Sequence, residues 1–329
     1  TISKKEMLPN GKYPVFGANG IIGKYDQYNH EEPELLITCR GATCGSVNIS
    51  LPKSWINGNA MVIRPKVDGI YRNYIEYLFR GAIDISNVIT GSAQPQITRQ
   101  SLSPIQIPIP PINEQKRIVE KLDTCMEQIN KAIQNVEQNI QNTEDLFQSQ
   151  LNEIFSQKDD KWEKINLVNL CLKIFAGGDK PEDISKQKTE KYNVPIFSNG
   201  KKNKGLYGYT NVQKVNEPSI TISARGTIGY TQIREESFYP IVRLIVLVPN
   251  RDIIDINFLY YLLSVLDISN TGSSIPQLTV PMIKKYSFYV PDLSVQVKLV
   301  NNFHSLRNNL DNIKSKYKKE LDALNELKK

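Results

Sequence analysis

Between Ile112 and Phe155 the chain carries neither proline nor glycine, and apolar side chains recur at Met126, Ile129, Ile133, Val136, Ile140 and Phe147, with Thr143 in the one polar slot. Steps of three and four alternate, which is the a/d seam of a coiled coil. The pattern predicts one unbroken helix of roughly 40 residues. Asn113 is the expected N-cap, followed by Glu114 and Gln115 in the first turn, where an acidic group suits the helix dipole. A second run answers the first with Phe303, Leu306, Leu310, Ile313, Tyr317, Leu321 and Leu324. Each helix is too long and too polar on its outer face to be a lone core helix. The natural partner of each is the other, in an antiparallel pair within one chain; an intermolecular coiled coil is the competing arrangement. Ile129, Ile133, Val136 and Ile140 on the first helix and Leu306, Leu310, Ile313 and Tyr317 on the second are the expected contacts.

The remaining sequence has a different texture. Short β-like runs at Leu35–Cys39, Ala60–Arg64 and Ile105–Ile109 are separated by turn signals such as Pro9-Asn10-Gly11, Asn19-Gly20 and Asn57-Gly58. One short helix is predicted over Tyr71–Arg80, with Tyr74, Ile75, Leu78 and Phe79 on one face. A second is predicted over Asn257–Leu266, with Phe258, Tyr261, Leu262 and Val265 together. The globular parts are therefore of mixed α/β class.

These elements occur twice. GSAQPQIT at Gly91–Thr98 returns as GSSIPQLT at Gly272–Thr279, 181 residues later. The same interval links Pro14 in YPVF to Pro195 in VPIF, and Pro110 in PIPPINEQ to Pro291 in YVPDLSVQ. ITCRGATCG at Ile37–Gly45 echoes in ISARGTIG at Ile222–Gly229, at a spacing of 184 to 185. Four anchors in one order mark a duplicated unit whose copies each end in a long helix. The expected boundaries are a first globular domain at 1–111, a central helix at 112–158, a second globular domain at 159–292 and a last helix at 293–329.

Composition narrows the function classes. The 329 residues carry a net charge of +7, which favours a polyanionic partner. Cys39, Cys44, Cys125 and Cys171 form no CxxC pair, and His30 and His304 are the only histidines. A structural zinc site needs four such ligands at short paired spacings, so no metal is expected. The thiols read as free cysteines of a reducing cytoplasm. No apolar run is long enough to span a membrane, and a cytoplasmic protein is expected.

Catalytic patterns are tested and fail. GANGIIGKY at Gly17–Tyr25 has Ala18 where a phosphate loop needs its first glycine and Tyr25 where it needs Ser or Thr. NVPIF at Asn193–Phe197 has Val194 in place of the first proline of an amino-methyltransferase box. Pro291-Asp292 with Lys298 lacks the second carboxylate of a metal-dependent nuclease. No catalytic residue and no cofactor is expected.

Binding chemistry is better represented. Lys180, Lys186, Lys188, Lys191, Lys201, Lys202 and Lys204 crowd a turn-rich stretch, interleaved with Tyr192, Asn199, Asn203 and Tyr207. Lysines there suit phosphate neutralisation, while Asn, Gln and Arg suit base edges; a solvated lysine-rich loop is the plain alternative. In the first repeat the corresponding turn is Asn19–Lys24, with Lys4, Lys5 and Lys12 nearby. Arg40 and Arg225 each stand beside a glycine at the end of a β-like run, placed either to reach a guanine or to buttress their own loop. Gln94, Gln96 and Gln277 lie in the repeated box, where a structural role is favoured over a reading one because the box recurs in both copies. The candidate DNA-binding residues are thus Lys12, Asn19, Lys24, Arg40, Lys180, Asn199, Lys201, Lys202, Lys204, Tyr207 and Arg225.

The duplicated module, the PxPP-xxEQ-like lead into a long helix and the GS-x-x-PQ-[IL]-T box in each half resemble the specificity subunit of type I restriction–modification enzymes over nearly the whole chain. That resemblance implies two target recognition domains, each reading half of a bipartite site in double-stranded DNA. It implies an antiparallel helical spacer that docks two methyltransferase subunits, with restriction subunits held through them and no catalysis of its own. The second copy, LSVQVKLV at Leu293–Val300, keeps Gln296 but has Val295 where the first has Glu114. Another departure concerns the first repeat. Trp162–Gly178 looks like the usual opening of a recognition domain and lies about 33 residues before Pro195, whereas only 13 residues precede Pro14, so an opening strand or helix is expected to be missing there. Two alternatives stand beside this reading: the specificity subunit of an enzyme that fuses cleavage and methylation in one chain, and a structural coiled-coil protein whose globular ends bind protein.

A spacer of 35 to 40 paired residues, at about 1.5 Å each, spans roughly 50–60 Å, or on the order of 15 base pairs at about 3.4 Å each. Inserting four residues near Asn139 adds about 6 Å. The two half-sites should then move apart by roughly one to two base pairs without changing in sequence. Mapping the methylated motif in DNA modified by the complex checks this, and an unchanged gap contradicts the ruler.

Overall fold

The computed structural model describes residues 1–91, 94–157, 161–266 and 277–328. It divides into two compact units, Thr1–Val136 with Glu320–Lys329, and Glu137–Lys319. The boundary expected at 158–159, together with Ser92, Ala93 and Gly272–Pro276 of the repeated box, lies outside the described residues.

The first unit holds two three-stranded sheets. β1 (Tyr13–Gly17) pairs antiparallel with β2 (Gly20–Tyr25) and parallel with β5 (Trp55–Ile56). β3 (Leu35–Thr38) lies between β4 (Val47–Ile49) and β6 (Ala60–Ile63). All four β3 residues are buried, as expected of a continuous apolar run at a sheet centre. α1 (Arg72–Tyr77) turns through a π-helical turn to Ala82, so the regular helix is shorter than the Tyr71–Arg80 pattern predicts. Its Tyr74 and Ile75 pack with Leu35 and with Val119 of the long helix. α2 (Arg99–Leu102) starts on a capping box in which Thr98 and Ser101 bond reciprocally. α3 (Ile112–Ser156) is the 45-residue helix.

The second unit repeats the plan and adds an opening. β7 (Glu163–Asn166), α4 (Leu167–Leu170) and β8 (Cys171–Ala176) come first. β9 (Val194–Phe197), β10 (Leu206–Thr210) and β13 (Tyr239–Pro240) form the counterpart of the β2-β1-β5 sheet, in the order β10-β9-β13. β11 (Ser219–Ile222), β12 (Thr231–Arg234) and β14 (Ile245–Pro249) match β3, β4 and β6, with β8 added as a fourth strand on β14. α5 (Ile256–Ser264), capped by Asp255, and α6 (Val280–Ile283) follow, then β15 (Ser287–Val290) paired with β7, and α7 (Leu293–Leu327).

Ile105–Ile109, predicted as a strand, is not one in the first unit. Its counterpart β15 is a strand because β7 supplies the ladder partner, and among the described residues the first unit has no equivalent of β7. An extended run without a partner has nowhere to place its backbone hydrogen bonds.

Burial along α3 follows the predicted seam. Val136, Thr143 and Phe147 are buried, with Ile129, Ile133 and Ile140 half-buried. In the second unit the C-terminal part of α3 and the first turns of α7 run antiparallel. The Phe155 ring lies 5.7 Å from that of Phe303, while Glu144, further back on α3, meets Arg307 at 2.8 Å and Lys314 at 3.3 Å, further on in α7. Leu310 is buried and Leu306 and Tyr317 half-buried, but Ile313 is 42% exposed. That is a correction to the predicted seam, since the neighbouring Lys314 turns inward there to reach Glu144. Burial works to raise the Glu144 carboxyl, and the two cations outweigh it and hold it below the usual range. Asn113 is not the N-cap: α3 already includes Ile112, and Pro111 accepts from the amides of Glu114 and Gln115.

One buried glutamine hydrogen-bonds each module to the start of its long helix. Gln115 donates to Gly69 and Pro110 carbonyls and accepts from the Tyr71 amide at 2.8 Å. Gln296 donates to Ile253 and Pro291 carbonyls and accepts from the Asp255 amide, also at 2.8 Å. Both are fully buried. Replacing Gln296 with Ala leaves three buried or part-buried backbone groups without their partner, at about 1–3 kcal/mol for each group that water cannot reach. Urea unfolding of Gln296→Ala should lose roughly 2–4 kcal/mol. A loss below about 0.5 kcal/mol, the usual size of a neutral surface change, contradicts the joint.

Candidate nucleic-acid interface

Three loops of the second unit are bonded to one another. The first follows β9. Ser198 closes it by donating to the Gly205 carbonyl, and Gly205 sits at φ +81°, where a Cβ would lie 2.6 Å from the Ser198 oxygen. Only glycine fits there. Asn203 and Lys204 also take left-handed backbone, at φ 48° and 53°. A lysine in that region is uncommon and is sustained only by surrounding contacts. Arg234 of β12 supplies them. Its Nη2 donates to the Lys204 carbonyl at 2.6 Å, its Nε donates to Thr221 Oγ1 at 3.0 Å, and its guanidinium lies 3.6 Å from the centre of the Phe197 ring. Burial lowers the Arg234 pKa to about 10, which leaves it charged at neutral pH.

The second loop follows β11 and carries Arg225-Gly226. Gly200 N–H donates to Ser223 Oγ at 3.1 Å, and Asn199 Oδ1 accepts from the Ala224 amide at 2.7 Å. The third loop lies between β13 and β14, where Val242 and Arg243 stand at φ 52° and 58°. Their amides donate to Gly178 and Gly177 carbonyls, and Asn199 Nδ2 donates to the Val242 carbonyl. Asn199 thus spends both ends of its amide pinning the three loops together. The repeated box braces the second loop: Leu278 N–H donates to the Ala224 carbonyl, and Gln277 Oε1 accepts from Arg225 Nη2 at 2.9 Å. In the first unit Ile97 N–H likewise donates to Cys39, and Gly41 N–H to Pro95.

On this scaffold Lys201, Lys202, Lys204, Arg225 and Arg243 are exposed. Lys201 Nζ lies 5.9 Å from the Tyr230 ring centre, within reach of a weak cation–π contact. Lys180 is exposed two residues beyond Gly178, and Tyr207 is exposed on β10. Glu236 lines the same depression as Lys204 and Arg234 and offsets part of this charge. Lys191 lies against Tyr192 at 5.0 Å. Arg243 and Arg234 were not among the sequence candidates. Arg243 has no stronger signal than a turn after Pro240, and Arg234 reads as an ordinary strand residue.

The first unit does not gather its predicted residues. Asn19 sits at the turn of the β1–β2 hairpin and accepts from Asn48 at 3.0 Å. Lys24 pairs with Pro14 near the open end, and Lys12 precedes β1 there, its Nζ 5.3 Å from the Tyr13 ring. Lys24 therefore belongs to strand β2 and not to the turn, and Lys12 and Lys24 are separated from Asn19 by the length of the hairpin. Arg40 is exposed and pairs its backbone with Gln96. The lysine-bearing turn Lys201–Gly205 has no counterpart between Asn19-Gly20 and β2.

Among the described residues no group of three or more His, Cys, Asp or Glu is placed to hold a metal ion, and no helix is long and apolar enough to cross a membrane. Burial pushes the Cys171 thiol up to about 12, so it is not a nucleophile at neutral pH.

The model of the type I restriction modification DNA specificity domain matches residues 1–138 and 159–323, one match in each repeat. The chain belongs to that family. A putative type I specificity subunit of Mycoplasma pneumoniae is 34% identical over 288 residues, covering 84% of this chain and 85% of the relative. A putative type I restriction enzyme specificity subunit of Haemophilus influenzae is 29% identical over 335 residues, covering 93% and 84%. In fold, the specificity-family chain is similar to the HsdS subunit of Thermoanaerobacter tengcongensis, at TM-score 0.56 and 19% identity over 91% of this chain and 81% of that one. A chain solved in a study of complex assembly of the type I R-M system gives TM-score 0.69 at 19% identity, covering 91% and 80%.

Arg234→Gln should release the Lys204 carbonyl and loosen the first loop. Amide exchange at Lys204 and Gly205 should rise at least about tenfold, the equivalent of one lost bond near 1.4 kcal/mol. Unchanged exchange there would show that the loop holds itself.

Proposed function

We propose that this specificity-family chain reads the two halves of a bipartite DNA site, one with each globular module, and contributes recognition but no catalysis to its complex. The observation that carries this reading is an Arg-Gly loop braced by the repeated box in each unit, in a chain of net charge +7. In the second module Lys201, Lys202 and Lys204 neutralise phosphates. Arg243, with Lys180 and Tyr207 beside it, is exposed toward bases, and Arg225 is exposed while one end of its guanidinium is held by Gln277. Asn199 is a scaffold residue in this reading, since its amide is already spent. In the first module Arg40 is the matching reader, with Lys12, Asn19 and Lys24 contributing from separate places.

The recognition domains are residues 1–111 and 159–292, and the helices at 112–158 and 293–329 form the spacer that docks two methyltransferase subunits. Restriction subunits attach through those, and the complex works on double-stranded DNA in the cytoplasm. Nothing favours the fused-enzyme reading or the structural coiled-coil reading over this one.

Phosphate contacts and base contacts fail differently when removed. Replacing Lys201, Lys202 and Lys204 with Ala should weaken binding to every sequence and reduce the slope of log K against log salt by up to about 3. Exchanging residues 162–291 for those of a homologue should instead change one half of the methylated motif and leave the other intact. Binding titrations at several salt concentrations and motif mapping of modified DNA check both. A swap that alters both halves, or neither, overturns independent reading.

A further inference from the structure

Arg234 carries a charge that the second unit buries without neutralising. The residue is 8% exposed, yet both of its acceptors, Thr221 Oγ1 and the Lys204 carbonyl, are uncharged. Among the described residues no carboxylate pairs with it, and Glu235 and Glu236, next along the chain, are exposed. A buried ion is ordinarily met by one of opposite sign, because leaving water is costly for a charge. Holding the Lys201–Gly205 turn takes N–H donors and not a cation.

The first unit folds with no cation at this place. The register of β4 on β3, compared with that of β12 on β11, sets Ser50 where Arg234 stands, and Ser50 Oγ accepts from the Glu34 amide at 2.8 Å. The architecture of the module therefore does not require the charge.

One edge of the guanidinium is unused and not sealed off. Nε and Nη2 make the two bonds, while Nη1, which carries two N–H groups, has no partner in the fold and keeps contact with solvent. Stacking on Phe197 at 3.6 Å fixes the plane of the fork. Arg234 and Phe197 line a depression of about 250 Å³ together with Lys188, Asn203, Lys204 and Glu236. A tetrahedral anion needs only a few times the roughly 30 Å³ of one water. Lys188 and Lys204 are exposed, so with Arg234 three positive charges border the depression against the single carboxylate of Glu236. A planar guanidinium backed by two ammonium groups suits the oxygens of a phosphate.

We propose that this depression is a seat for one phosphate group, with Arg234 Nη1 and the ammonium groups of Lys188 and Lys204 as its donors. Identifying that group as a single phosphodiester of bound duplex rests on the DNA reading above, whereas the seat itself does not. Arg234 then has two tasks in one side chain: it holds the turn that carries Lys204, and it meets the phosphate that the turn approaches. Filling the seat tightens the turn.

The full chain is titrated with inorganic phosphate and, at equal ionic strength, with chloride, while exchange of the amides at 202–205 is followed. Phosphate should slow exchange there and chloride should not. Arg234→Gln should raise the half-saturating phosphate concentration at least about tenfold, as loss of a charge-assisted bond does. That variant also loosens the turn, so two exposed positions carry the decision. Lys188→Gln should raise half-saturation about threefold and Glu236→Gln should lower it about threefold, the size of one exposed charge interaction. Half-saturation unmoved by both, or chloride acting as strongly as phosphate, overturns the seat. A mixed-sequence DNA duplex then decides the source. On it Lys188→Gln should reduce the slope of log K against log salt by about 1. An unchanged slope beside intact phosphate binding overturns the phosphodiester and assigns the seat to free phosphate. A chain that binds phosphate as expected but no duplex supports the seat and contradicts the DNA reading.

Discussion

Each module is tied to its long helix by a carboxamide with no exposed surface, beside apolar contacts such as Val119 with Tyr74 and Phe303 with Tyr261. Gln115 and Gln296 sit one turn into α3 and α7, and each serves the backbone just before the short helix, α1 or α5, and the proline that leads into the long one. A buried amide needs all its partners, because an unmatched donor or acceptor there costs more than the bond contributes. The carboxamide therefore fixes the start of the helix to the backbone before the short helix. The change from Glu114 to Val295 beside it is tolerated because Glu114 only forms an exposed pair with Arg117, which contributes little.

Within the second module, most of the bonded scaffold side chains and the exposed cations are different residues. Asn199, Thr221, Ser223, Arg234 and Gln277 spend their polar atoms on other parts of the module. The exposed cations stand on turns whose left-handed backbone has to be held in place. Buried Arg234 does this for Lys204 through a carbonyl bond and its stacking on Phe197. Its charge is a structural expense that the ring face and two acceptors offset. The repeated box belongs to the scaffold, since in both units it bonds to the backbone just before the Arg-Gly pair. Its recurrence in both modules follows from that role.

Much was legible in the sequence: the duplication, the mixed class of the modules, the two long helices, most of their seam, and the family. Those features rest on periodicity and on residue types at repeated spacings, which are local and survive in one dimension. The seam even located Thr143 as a buried polar slot, and its hydroxyl is satisfied by the Asn139 carbonyl.

What tertiary structure alone decided was partnership. Ile105–Ile109 has strand composition but forms no strand, since a strand exists only with a neighbour to bond. Ile313 fits the heptad yet is 42% exposed, while Lys314, one residue on, turns inward to Glu144. Asn199 looks like a base reader and is a tie between loops, while Lys24 looks like a turn residue and lies at the far end of a hairpin. Arg234 looks like an ordinary strand residue and holds a loop thirty positions away in sequence. Pattern states what a residue prefers to touch, and only the folded chain states what is within reach.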